Sequence, residues 1–87
     1  SYQREYRRAR RNLRHTVHIW RRTYPDSPTD YIDLSRHPAT VCMAMKMRGH
    51  DNNWLYLGLY DAWLQVFRAL EKFPRRISTK WPAETPS

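Results

Sequence analysis

Eight arginines fall within the first 24 residues, SYQREYRRARRNLRHTVHIWRRTY, against a single acid, Glu5. A guanidinium is permanently charged, planar and forked, so it pairs bidentately with carboxylate or phosphate and also stacks on aromatic rings. Thirteen of the sixteen cationic residues of the chain are arginine. That bias suits fixed interface pairing, and a GC-rich genome would give it equally. Of the net charge of +8, this segment holds +7 (eight Arg less Glu5), which leaves +1 for the other 63 residues. The charge is therefore local, and Arg4, Arg7, Arg8, Arg11, Arg14, Arg21 and Arg22 are the candidate partner-binding residues.

The other reactive side chains point to no catalytic apparatus. His15 and His18 stand at i and i+3, a spacing able to share a metal, but no carboxylate or third nitrogen lies near them in sequence. They read as solvated surface histidines. His37 and His50 read as capping or turn residues, with His50 and Asp51 a candidate hydrogen-bonded pair. Cys42 is the only cysteine, so no internal disulfide or cysteine-rich zinc site forms, and it reads as a small buried apolar residue. No second placed carboxylate accompanies Asp61, no Ser or Cys has a base in view, and two glycines do not make a phosphate loop. The chain reads as a non-enzyme with no cofactor and no metal. Asp61 interrupts an apolar helix pattern and is expected to be partly buried, paired with Arg10, Arg14, Arg68 or a residue of a partner.

Three helical segments must carry these groups. Tyr2, Tyr6, Ala9, Leu13, Thr16, Trp20 and Thr23 recur at steps of 4, 3, 4, 3, 4 and 3, a nearly heptad stripe that predicts an amphipathic helix with an aromatic inner edge and an arginine outer surface. Pro25 disfavours helix at Tyr24, and YPDSPTD makes a turn-rich connection. A short helix is predicted from Pro38 to Arg48, with Ser35 or His37 before its first turn and Gly49 at its end. Its Met43, Met45 and Met47 face several directions, which suits adaptable packing. Asn52 or Asn53 is the expected N-cap of a third helix, Trp54 to about Phe73, stopped by Pro74. Tyr56, Leu59, Tyr60, Trp63, Val66, Phe67 and Leu70 form its broad stripe, and Trp54, Leu55, Leu57 and Leu64 carry apolar surface onto its sides. Such a helix is either central or sandwiched against another chain. The last fourteen residues, PRRISTKWPAETPS, read as an extended tail with Trp81 as its anchor.

The fold class is thus all-α: a long basic amphipathic helix, a short middle helix and a hydrophobic third helix in one domain over residues 1–73, followed by an extended tail over 74–87. At 87 residues a single core gives only marginal stability, so the domain is expected to lean on neighbours. No run approaches the ~20 apolar residues of a membrane-spanning helix, and no apolar signal core follows the basic start. That start resembles a mitochondrial transit peptide, although in a mature chain it is structural.

Residues 5 to 15, EYRRARRNLRH, resemble the beginning of the LYR-motif proteins, small basic mitochondrial proteins of three helices whose first helix opens with Leu-Tyr-Arg. Tyr6 and Arg7 match the last two motif residues and Leu13 lies on the same stripe, while Glu5 replaces the leucine. The resemblance implies respiratory-complex subunits, assembly factors or an adaptor for an acidic acyl carrier protein.

The leading expectation is a non-catalytic accessory subunit of a large organellar assembly, a mitochondrial respiratory-chain or ATP-synthase complex, in the matrix or peripheral to the inner membrane. Its partners would be other protein subunits, with anionic lipid headgroups as further candidates. The alternatives are a small mitochondrial ribosomal or RNA-binding protein using the arginine helix, and the LYR-type adaptor. Sequence-specific DNA binding is not expected, because the third helix offers no Arg or Lys from Trp54 to Phe67 to read base edges.

Overall fold

The computed structural model describes residues 2–49 and 53–72. The tail with Trp81, and the readings made of His50, Asp51, Asn52 and Phe73, lie outside the described residues. The chain is all-α: α1 (Tyr2–Thr23), a single 3-10 turn (Thr29–Tyr31), α2 (Pro38–Arg48) and α3 (Trp54–Lys72).

Each helix forms for a local reason. In α1, Glu5 in the first turn and Arg21 and Arg22 in the last complement the helix dipole. The helix stops as Pro25 approaches, and the turn is tied back by the Trp20 indole N–H, which donates to Ser27 Oγ at 2.7 Å. For α2, the His37 ring Nδ1 accepts from Ala39 N at 3.1 Å, Pro38 occupies the first turn, and Gly49 ends the helix at φ +88°. A left-handed φ is where glycine is favoured over any residue with a Cβ. Asn53 caps α3, its Oδ1 accepting from Tyr56 N at 3.0 Å.

The long helices pair antiparallel, and three contacts fix the register: Glu5 with Lys72, Asn12 with Gln65, and Tyr24 with Asn53. Each pair of residue numbers adds to 77. The predicted stripe of α1 is buried at Tyr6, Ala9, Leu13 and Trp20, with Val17 beside it, but Thr16 is half-buried and Thr23, at the end of the helix, is exposed, its hydroxyl donating to the Ile19 carbonyl at 2.9 Å. From α3 come Tyr56, Leu59, Ala62, Trp63, Val66 and Ala69, while Tyr60, Phe67 and Leu70 pack half-buried at its edge. Pro38, Val41, Cys42 and Met45 are the buried residues of α2, and α3 touches both other helices and is the central one.

The connection between α1 and α2 is more than a turn. Tyr31 and Ile32 are buried, and the Tyr31 carbonyl accepts from the fully buried Trp63 indole N–H at 2.7 Å. Tyr31 meets Tyr56 edge-on with ring centroids 5.8 Å apart, and Tyr56 meets Trp20 at 5.9 Å. Edge-to-face aromatic pairs like these add about 0.5–1.5 kcal/mol each beyond their buried area. One aromatic cluster therefore ties α1, the 3-10 turn and α3 together. The Tyr56 hydroxyl extends it to α2 by donating to the Met45 carbonyl at 2.8 Å.

Candidate interaction surface

Because α3 absorbs the apolar stripe of α1, the arginines must face out. Arg4, Arg7, Arg8, Arg11, Arg14, Arg21 and Arg22 are all exposed, and His15 and His18 lie exposed among them. At ~1.5 Å rise per residue the face runs about 27 Å from Arg4 to Arg22. Its N-terminal part is shaped: Gln3, Arg4, Arg7, Arg8 and Arg11 line an open cleft of about 360 Å³. Arg10 lies off this face, half-buried, with its guanidinium carbon 6.0 Å from the Tyr6 ring centroid.

Glu5, Asp30, Asp33 and Asp61 engage other groups. Glu5 pairs with Lys72 across the α1–α3 seam at 3.5 Å, and Asp30 pairs with Arg36 at 3.3 Å. The Ser35 hydroxyl and backbone N–H both donate to Asp33 Oδ1. Those two bonds, aided by Arg36 and Arg21, hold the Asp33 carboxyl below its ordinary value. Exposed ion pairs of this kind contribute little stability.

Two residues depart from their expected roles. Asp61 is exposed, not buried, and accepts from Gln65 Nε2 at 3.0 Å one turn along α3. The apolar run around it misleads, since Asp61 falls on the outer side of α3, opposite the face carrying Leu59 and Trp63. Arg21 is drawn partly inward, where Nη2 donates to the Ile32 carbonyl at 3.3 Å and helps fix the α1–α2 connection. Tyr6 is a core residue at 8% exposure, whereas Arg7 beside it points to solvent.

Exposed apolar side chains also occur off α1: Met43 is 66% and Met47 82% exposed on α2, and Trp54 is 85% exposed at the start of α3. Arg48 is engaged nearby, donating to the Tyr31 hydroxyl at 3.0 Å with its charge 5.4 Å from that ring's centroid. An open groove of about 560 Å³ lies at the α1–α2 connection, walled by Trp20, Tyr24, Pro25, Pro28, Arg48 and Tyr56. Among the described residues no three His, Cys, Asp or Glu side chains gather as a metal site, and no helix is long and apolar enough to cross a membrane.

Sequence reasoning did not find the engagement of Tyr31 and Arg48, nor the exposed Ile19 beside the stripe. The one available signal was the adjacent pair Tyr31–Ile32 following the turn residues. The chain matches no protein-family model, no curated protein and no solved structure.

Proposed function

We propose that this chain is a non-catalytic accessory subunit of a large organellar assembly, a mitochondrial respiratory-chain or ATP-synthase complex, docked in the matrix or at the periphery of the inner membrane. The observation that carries the reading is the outward arginine face of α1, exposed along its length on a fold where Glu5 pairs with Lys72 and Asp30 with Arg36. Guanidinium groups set at steps of three and four along one rigid helix are preorganised for carboxylates or phosphates of a partner, which lowers the ordering cost of docking. The uncovered Met43, Met47 and Trp54 offer a second contact of the apolar kind that interfaces use at their centres.

The experiment is purification of the native protein at low ionic strength, followed by size separation and identification of what travels with it. Co-migration with cytochrome-containing or ATP-synthase subunits at high mass is expected, with release as salt is raised. Migration as a lone 10.7 kDa chain under these conditions would overturn the reading.

An RNA-binding role in an organellar ribosome is the second reading, favoured by the cleft among Arg4, Arg7, Arg8 and Arg11. It requires that affinity for structured RNA fall steeply with salt and drop when Arg7, Arg8, Arg10 and Arg11 are replaced together by glutamine.

A further inference from the structure

The groove at the α1–α2 connection has walls that are set by their own bonds. Trp20 is held by its indole bond to Ser27, and the Tyr24 ring leans on it with centroids 4.6 Å apart while its hydroxyl accepts from Asn53. Pro25 and Pro28 complete an aromatic and proline lining, and exposed Asp26 and Arg48 place one charge of each sign on the wall. Arg48 is steadied there by donating to the Tyr31 hydroxyl. Grooves lined by aromatic rings take extended proline-containing segments, whose stiff backbone loses little entropy on docking, and they take indole rings by stacking.

The chain carries such a segment. Residues 80–86, KWPAETP, set Trp81 and Pro82 between Lys80 and Glu84. Its reach fits the groove. The register contacts put Lys72 beside Glu5 at one end of the bundle and Asn53 beside Tyr24 at the other. From Tyr56 on the groove wall to Lys72, α3 runs about 24 Å at ~1.5 Å per residue. Trp81 follows Lys72 by nine residues, which an extended or polyproline path spans in about 28–30 Å. Pro74 cannot continue α3, so the chain has to leave the helix axis early in that span.

We propose that this segment turns back along the bundle and docks in the groove, the Trp81 indole against Trp20 and Tyr24, Lys80 meeting Asp26 and Glu84 meeting Arg48. Tethering selects this occupant. A segment joined to Lys72 by a linker that matches the span acts at an effective concentration in the millimolar range, which a free partner or a second copy has to exceed. The docked segment closes the end of the bundle remote from Lys72 and adds a large apolar side chain to a core of marginal size. The proposal stands apart from the subunit reading, which co-migration of the native protein judges separately.

The test uses the full chain, nitrogen-labelled for amide spectra, with a nitroxide at Thr85→Cys in a Cys42→Ala background and the reduced label as control. The amides of Ser27, Gly49 and Asn53 are expected to broaden, while those of Arg4 and Glu71 stay sharp. Trp81→Ala is expected to restore the groove amides. A Lys80→Glu, Glu84→Lys double variant, which keeps Trp81 and leaves the groove itself unchanged, is expected to weaken the broadening and decides the matter if Trp81→Ala fails to fold. Sharp groove amides in the labelled parent would overturn the proposal, whether broadening moved to the Glu5 and Lys72 end or vanished. Broadening that neither variant changes would overturn it equally. When nitroxide-bearing chains without the nitrogen label are mixed with nitrogen-labelled chains without the nitroxide, broadening of the groove amides would assign the groove to the segment of a second copy and also overturn the proposal.

Discussion

At the scale of single residues, Cys42 shows how position sets chemistry. It is buried on the inner face of α2, and that burial pushes its thiol from an ordinary 9.0 up to about 11, against a smaller downward pull from Arg68. The folded state therefore holds the thiol proton more tightly than the unfolded chain does. The stabilisation linked to that proton is complete below pH 9 and is lost as pH rises through 9 towards 11. The thiol is expected to react slowly with a disulfide reagent at neutral pH until denaturant is added. Between pH 9 and 11 the wild type should lose stability faster than Cys42→Ala, and parallel pH curves for the two would contradict this account. The cysteine's structural role was legible from its isolation in the sequence. The exposure of Asp61 was not, because the reading took the apolar neighbours Leu57 and Leu64 as evidence of burial all round, whereas Leu57 is itself 37% exposed.

At the scale of elements, the helix limits followed from punctuation. Pro25, Pro38 and Gly49 stand at the boundaries for reasons of backbone geometry that do not depend on tertiary context. Asn53 has a heavier duty than a cap, because it also donates through Nδ2 to the Tyr24 hydroxyl at 3.2 Å and so joins the start of α3 to the end of α1. Asn53→Ala is expected to cost about 1–3 kcal/mol, from the lost cap and the lost side-chain bond together. His37→Ala removes only a cap and should cost about 0.5–2 kcal/mol. Chemical denaturation of the two variants checks the ordering, and an Asn53→Ala cost no greater than that of His37→Ala would contradict the dual role. The 3-10 turn was hidden because Tyr31 and Ile32 sit in a stretch with turn composition and no periodicity. Their burial is imposed by the distant Trp63, whose indole N–H needs an acceptor.

At the scale of the whole molecule, the arginine face is a strain that the fold sustains. Arg4, Arg7, Arg8, Arg11 and Arg14 repeat at steps of three and four on one exposed surface, and like charges at those spacings each destabilise a helix by about 0.2–0.5 kcal/mol. Replacing Arg7, Arg8 and Arg11 together by glutamine is expected to leave the isolated protein as stable or raise its stability by about 1 kcal/mol at low ionic strength. The gap should close in 1 M salt as screening removes the repulsion. Thermal melts of both proteins across a salt series read this out, and a lower Tm for the triple variant at low salt would show that the arginines support the fold from within. The direction of that face was legible from the α1 stripe alone. The α1–α3 seam beside it was not, since the Glu5–Lys72 and Asn12–Gln65 contacts exist only once two segments far apart in sequence are set in register.

That register also governs the order of events during synthesis. The contacts that join α3 to α1 and to Tyr24 just after it span 29 to 67 residues of chain (Tyr24 to Asn53, Glu5 to Lys72), so the first helix emerges from the ribosome well before α3 can cover Leu13 and Val17. At a translation rate of ~5–20 residues per second, the wait lasts on the order of 2–15 s. Loop closure over such distances is slow relative to local helix formation. Throughout that interval the nascent chain presents a sticky aromatic ridge backed by strong positive charge, and α3 ends the exposure only when its last turns have been made.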